Sequence, residues 1–508
     1  MWWLACFRAL SRRNRCLSET PPRQEDIAAL AKGGRTNFLG FLLRLLARMP
    51  FLFIASRLYG APAMGRFASA LVMVEFAGML ATLGQKRGLA QRLAENDEHP
   101  ANVVGDAVLL AMSLALGMGA LIYLFPQSMY PSGNFTLADR LLVLAIPGLA
   151  LGDLALAALA YRFDVATTVR ARSVVEPWTI SIAAGAFFFV WPSSGLSLAY
   201  LASVWAATGV AVFVLLRTYG LPHVWKPRPG PLWQIARRNI PLAGADAVEW
   251  GTRKLDVFIL RFFVGEAPVG IYYFAQQFAS LPQKLKTSFE PVLGPVITRS
   301  VKEKDYAAIA KQVCQVGFWI GAAQIGIAMA LGIPGEGLMG LGGPAFVSGT
   351  AALAFLLIAE VVASKAVVSE AALVYLARMR NLWISLGTIA LQAVLTIALI
   401  LLARNAGWGP MYVAAAASLA LALSLGLSSA VKSRVLARLL GHSISNWRWG
   451  LAWAIVPALA VGIAMTWLPE WAELAFGIPA ILGIYCYMLW VRAFGPEDRV
   501  LFRKQKPA

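Results

Sequence analysis

Apolar residues run through this chain in stretches of about 20, the length at which an α-helix crosses a bilayer, and short polar turns divide one stretch from the next. The pattern predicts about fourteen spanning helices, centred near residues 38–59, 65–85, 103–125, 138–161, 174–192, 196–217, 241–264, 268–297, 312–332, 346–377, 382–403, 410–431, 449–468 and 471–491. An all-α, polytopic membrane protein follows. Composition agrees, since 508 residues that are 59% hydrophobic and only 14% charged are too apolar for a soluble fold.

The turns between these segments alternate in charge. One set collects the amino-terminal Arg8, Arg12, Arg13, Arg15, Arg23, Lys32 and Arg35, then Lys86/Arg87/Arg92, Arg162/Arg170/Arg172 and Lys226/Arg228/Arg237/Arg238. It continues with Arg299/Lys302/Lys304, Arg378/Arg380, Lys432/Arg434/Arg438 and the tail Arg499/Arg503/Lys504/Lys506. The opposite turns are nearly bare, with Arg66, Arg140 and Arg404 near them and lone acids such as Glu266, Glu336 and Glu470. The positive-inside rule then places both termini in the cytoplasm and requires an even number of crossings. A formal charge of +19 is mostly a cytoplasmic-surface charge. It favours anionic headgroups by roughly 1 kcal/mol per basic residue, so membrane lipids are the expected partner and nucleic acid is not.

Residues 1–17 are too briefly apolar for a signal peptide and read as an interfacial anchor. Cys6, Cys16, Cys314 and Cys486 are scattered, and His99, His223 and His442 fall in predicted cytoplasmic turns as solvated residues. No disulfide, metal site or cofactor is indicated. The loops also argue against an enzyme. None of the bare turns exceeds about 15 residues, the longest basic turn is Pro-rich around Leu221 to Pro231, and no GxxxxGK[ST] phosphate loop occurs. Transporter, channel and scaffold remain.

A repeat narrows the choice. Residues 56–70, SRLYGAPAMGRFASA, align with residues 261–275, RFFVGEAPVGIYYFA, at a constant shift of 205 that matches Gly60 with Gly265, Gly65 with Gly270 and Arg48 with Arg253. Each glycine pair brackets a non-basic turn, where a missing Cβ permits tight reversal and close helix approach. Six helices separate the copies, so the repeat axis runs along the membrane normal. The chain then divides into a cytoplasmic tail (1–37), an N-lobe (38–217), a cytoplasmic linker (218–240), a C-lobe (241–435), a two-helix extension (436–494) and a final cytoplasmic tail (495–508).

At this hairpin the chain resembles the oligosaccharide flippases of the multidrug/oligosaccharidyl-lipid/polysaccharide exporter superfamily, a group that includes O-antigen unit and lipid II flippases. The residues that carry the resemblance are Gly34 to Gly40, Ile54 to Ala70, Leu83 and Gly84, Arg87 to Leu93, Leu255 and Asp256, Tyr272 to Ala275, and Phe289 to Arg299. It spans roughly residues 32–435. The resemblance implies two pseudo-symmetric six-helix lobes around a central cavity with two further helices, and alternating access for undecaprenyl-diphosphate-linked sugars in a bacterial inner membrane. It also implies a polysaccharide polymerase and glycosyltransferases as candidate protein partners. A lipid II flippase and a cation-coupled multidrug exporter of the same superfamily are the alternatives.

Ionisable groups inside spanning helices cost about 2.5–3.5 kcal/mol each on insertion scales, so those retained map a wet cavity or a partner. Asn37, Arg44 and Arg48 share one stripe of the first helix, whereas Arg57 lies on another face. In the seventh helix Asp246, Glu249, Arg253 and Asp256 form one stripe and Lys254 and Arg261 a second. Lys284, Lys286 and Glu290 sit in the eighth helix, and Glu360, Lys365 and Glu370 in the tenth. A diphosphate suits the planar fork of arginine and the point charge of lysine. The candidate substrate-binding residues are therefore Arg44, Arg48, Arg253, Lys254, Arg261, Lys284, Lys286 and Lys365. An intrahelical pair of Arg253 with Glu249 or Asp256 is the structural alternative. Asp246, Glu249, Asp256, Glu290, Glu360 and Glu75 are candidates for ion coupling or gating.

Overall fold

The computed structural model describes residues 47–95, 99–223, 225–287, 297–445, 447–495 and 498–499, with the side chains of 284–287 excepted. Among the described residues every long element is a helix, and nine helical stretches are long and apolar enough to cross a membrane. The first, Ala47–Glu95, is subdivided. Helix α1 (47–59) ends in a π-turn over Ala55–Tyr59, and at Gly60 the backbone leaves helical geometry with φ 79°. Helix α2 (Gly60–Ala81) follows, then a break at Leu83 and Gly84 and the short α3 (Gln85–Glu95). Next come α4 (Pro100–Leu124), α5 (Leu137–Tyr161), α6 (165–188) and α7 (Gly195–Tyr219).

After the Pro-rich turn come α8 (Pro229–Leu260), α9 (Glu266–Thr287), α10 (Tyr306–Gly332), α11 (Thr350–Leu376), α12 (Arg378–Asn405) and α13 (Pro410–Leu440). The shorter apolar α14 (Trp449–Met465) and α15 (Glu470–Ala493) end the fold. Helices α6, α8 and α9 are not among the nine apolar stretches; polar residues from Asp246 to Gln283 punctuate α8 and α9.

Several predicted boundaries change. The segment expected at 174–192 begins at 165, and its first turns run through a π-helix at Arg170–Val175. Arg172, assigned above to a basic turn, instead lies in that π-helix, paired with Asp153 of α5 and at 2.9 Å with Glu176. Likewise half of the expected linker 218–240 is helical, since α8 starts at Pro229, where a proline suits the first helical turn.

Helices α4 to α7 pack among themselves, as do α8 to α13, and the two groups meet mainly where α2 runs along α9. At that crossing a Cβ on Gly65 would stand 1.8 Å from the Glu266 carbonyl oxygen, and one on Gly270 would stand 2.1 Å from the Ala61 carbonyl oxygen. These positions exchange under the 205-residue shift, so the contact is reciprocal. Around it Phe67 meets Tyr273 edge-on at 6.3 Å. Arg261 donates from Nη1 to the Ser69 carbonyl at 2.8 Å. Arg57 reaches the carbonyls of Leu341 and Gly340 at 2.9 and 3.1 Å. All of these lie towards the bare turns. Gly265 departs from the glycine argument: its φ is not positive and nothing stands within 4 Å of its Cβ position.

The last two helices dock on α10, where the Tyr485 hydroxyl donates to the Ala322 carbonyl at 2.7 Å. Beyond α15, Asp498 accepts from Trp319 Nε1 at 2.8 Å, from Arg448 at 2.5 Å and from the Gly495 amide at 2.8 Å. Burial of this carboxyl favours its neutral form, but the donors outweigh that effect and hold it below the usual carboxylate range.

Gly65→Val and Gly270→Val should each lower stability by about 1–3 kcal/mol or more through overpacking, whereas Gly117→Ala, whose Cβ position is open, should change it by less than about 0.5 kcal/mol. Thermal unfolding in detergent measures both. Because the folded-state proton affinity of Asp498 is depressed, its contribution is complete at pH 7 and is lost as pH falls below about 4. Asp498→Asn should thus be less stable than wild type at pH 7 and lose less on acidification to pH 3, read by the same melts.

Candidate functional site

Between the two helical groups lies a cavity of about 700 Å³. Its walls are α1 through Arg48, α2 through Glu75, α3 through Arg87, α8 through Glu249, Thr252, Arg253 and Lys254, and α9 through Tyr273, Gln276, Gln277, Ser280 and Gln283. Helices α11 to α13 complete it with Glu360, Glu370, Tyr375, Ser385, Thr388, Ser428 and Lys432. Spacings of three and four residues bring each set to one helix face. The cavity extends from Arg48 and the mid-helix Glu360 to the basic ends of the helices at Arg87, Tyr375 and Lys432. Towards the bare turns the Gly65/Gly270 contact closes the gap between the groups.

Charge in the cavity is organised by pairing. Glu249 bridges Arg87 Nη2 at 2.7 Å and Arg253 Nη2 at 3.1 Å. Beneath it Asp246, its side chain 1% exposed, lies 2.6 Å from Arg87 Nε and 3.9 Å from Lys86 Nζ. The Nε approach lacks hydrogen-bond geometry, so this contact is an ion pair alone. Arg87 therefore ties the basic end of the first group to α8, where Gly84 and Gly88 let Leu242 and Asn239 approach closely. Arg48 is deeper, beside the Tyr273 hydroxyl and near Glu75, Glu176 and Tyr200. On the far wall Lys432 Nζ pairs with Glu370 Oε2 at 2.9 Å and donates to Ser385 Oγ at 3.1 Å.

Of the expected substrate-binding residues, Arg48, Arg253 and Lys254 line the cavity together. Arg253 also makes the intrahelical pair with Glu249, and Asp256 is not its partner. Arg261 and Lys365 do not line the cavity. Arg261 is buried against Ser69, Phe258 and Phe262, because α8 turns its outer stripe towards α2 at that level. Arg44 and Glu290 lie outside the described residues, as do the side chains of Lys284 and Lys286. Among the coupling candidates, Glu75, Glu249 and Glu360 face the cavity. Asp246 sits under Arg87, and Asp256 is buried, accepting from the Tyr272 hydroxyl at 2.5 Å.

Sequence reasoning missed Lys432, which it placed in a basic turn. In the structure α13 continues to Leu440, so Lys432 is a helical residue packed inside the bundle and 4% exposed. The signal was the run of Ser424, Ser428, Ser429 and Ser433 around it, a hydroxylated face that no solvated turn requires.

Residues 30–301 match the family described as "Polysaccharide biosynthesis protein". No curated protein sequence gives a significant match. Among solved structures, the lipid II flippase MurJ in an inward closed conformation superposes with a TM-score of 0.65 at 12% identity, covering 89% of this chain and 98% of that one. A multidrug resistance MATE family transporter of the MOP superfamily in an inward-facing conformation gives 0.58 at 15% identity, covering 81% and 94%. A multidrug resistance MATE family transporter of the MOP superfamily in an outward-facing conformation gives 0.54 at 13% identity, covering 82% and 96%. At such identities the likeness is one of fold, and the fold is that of this transporter superfamily.

Removing Arg87 would leave the buried Asp246 with only Lys86 at 3.9 Å. Arg87→Ala should cost about 1–3 kcal/mol, and adding Asp246→Asn should recover most of it. A double-mutant cycle from unfolding in detergent measures the coupling; additive losses would mean that the pair contributes nothing.

Proposed function

This chain belongs to the polysaccharide biosynthesis protein family, and we propose that within it the protein is a flippase for undecaprenyl-diphosphate-linked oligosaccharide, working by alternating access in the bacterial inner membrane. The observation that carries this reading is the convergence of Arg48 from one helical group with Arg253 and Lys254 from the other on one intramembrane cavity. A diphosphate entering there meets arginine forks that each engage two oxygens. The surroundings are drier than bulk water, which strengthens the attraction. Some 700 Å³ accommodates a phosphorylated head group, while the polyprenyl tail stays among lipid chains, where its burial costs nothing.

Release on the other side requires the Gly65/Gly270 contact to part and the Arg87 pairs with Asp246 and Glu249 to hold the basic side shut. A phosphate that takes Arg253 from Glu249 leaves this carboxylate to Arg87 alone, so arrival of the head group tightens the basic-side latch and supplies a differential interaction between two states. Glu75, Glu249, Glu360, Asp246 and Asp256 are the groups through which a proton or cation would bias that equilibrium. The fold of the lipid II flippase supports a second reading, in which the head group is the peptidoglycan precursor. A cationic-drug exporter is disfavoured by the pairing of Glu249 with Arg87 and Arg253 and of Glu370 with Lys432, which engages two of the four acids that line the cavity.

Arg48→Ala and Arg253→Ala should each abolish translocation while membrane insertion stays intact. Export of surface glycan in a strain lacking the gene, together with flipping of the labelled lipid-linked sugar in proteoliposomes, measures this. Normal export by both variants would overturn the reading, and death of the null strain, as against loss of surface glycan only, would favour the lipid II alternative.

A further inference from the structure

The far wall of the cavity is built differently from the α1/α8 wall. Glu370 of α11 and Lys432 of α13 form an ion pair in which the lysine side chain is 5% exposed and the glutamate 42% exposed. The cation is therefore the hidden partner. It is held from behind by Ser385 Oγ at 3.1 Å, and its charge is spent on Glu370 Oε2 at 2.9 Å. What the cavity presents is a carboxylate already neutralised and fixed in place, and no donor among the described residues meets Oε1. Next to it stand Thr388 and Ser428, their hydroxyls 2.9 Å apart, and all five residues line the cavity.

A buried lysine of this kind would be a poor phosphate ligand, because a phosphate would have to displace both a carboxylate and a hydroxyl from it. The exposed carboxylate, in turn, repels phosphate. The group that matches this wall carries hydroxyl or amide N–H donors and no net charge: a carboxylate oxygen accepts from such donors strongly, and serine and threonine hydroxyls can both donate and accept. Because Lys432 compensates its charge, this acceptor demands no further cation.

Resting on the flippase reading above, we propose that Glu370, oriented by Lys432 and flanked by Ser385, Thr388 and Ser428, is the glycan-reading subsite of the cavity. It binds hydroxyl and acylamino groups of the sugar next to the diphosphate, which the α1 and α8 cations hold. Glu370 contacts the sugar; Lys432 is a positioning residue that acts through it.

The test compares two probes on the purified full-length protein in detergent: undecaprenyl diphosphate, and the same lipid bearing one N-acetylhexosamine, with binding followed by native mass spectrometry. Wild type should bind the glycosylated lipid more tightly. Glu370→Ala and Lys432→Met should weaken that probe about ten- to hundredfold and leave the bare diphosphate lipid unchanged. Glu370→Gln, which keeps an acceptor oxygen and the side-chain shape, should lose less than Glu370→Ala. Arg48→Ala should weaken both probes alike. Equal loss of both probes in folded Glu370→Gln, no loss in Glu370→Ala, or equal wild-type affinity for the two probes would each overturn the subsite. If wild type bound neither lipid, the flippase reading itself would fall, and the subsite with it.

Discussion

Where α2 and α9 cross, Gly65 and Gly270 bring backbone against backbone, with a nearest hypothetical Cβ contact of 1.8 Å. Lipid tails are as apolar as leucine, so helices in a bilayer gain little from hiding apolar surface and associate through close packing and hydrogen bonds. A crossing with no side chains between the helices is the tightest such contact, and it sets the separation of the two helical groups near the bare turns. The cavity on the other side exists because the groups diverge from that point. Ala61 and Glu266 supply the two carbonyls that face the glycines, and the exchange of partners under the repeat makes the crossing a local two-fold.

The polar interior is organised around cations with assigned partners. Lone charges at these depths would be expensive, yet Arg87 with Asp246 and Glu249, Arg172 with Asp153 and Glu176, and Lys432 with Glu370 are each matched across two helices. Such pairs add little net stability, since desolvation offsets most of the attraction. Their value is in being exchangeable. A pair such as Arg87 with Glu249, whose side chains are 45% and 51% exposed, can be traded for a ligand or for a second conformation at small cost.

The glycine repeat was legible because a close crossing demands glycine at both members, and a shift of 205 exposes both at once. Gly265 shows the limit of that logic: its match to Gly60 is real in sequence, but only Gly60 has a left-handed φ. Arg48 was legible as a cavity residue because it interrupts an apolar run, and Arg253 because it falls on a polar stripe within an expected span. Arg172 and Lys432 were not, because each follows an apolar run and adjoins other basic residues, the local pattern of a turn. The helices carry them inward only because acids on neighbouring helices, Asp153 and Glu370, receive them.

By itself the sequence determined that the chain is a bundle of membrane helices built on a duplicated half, because bilayer thickness and the need to satisfy every backbone group leave a long apolar segment no other regular form. It also determined which charges had to find water or a partner. Only the tertiary structure decided which they found. Whether Arg261 faces the cavity or Ser69, and whether Lys432 is a surface charge or the hidden partner of Glu370, depends on how each helix is rotated and how far it extends. Those are set by contacts with helices far away in the chain, which no local pattern encodes.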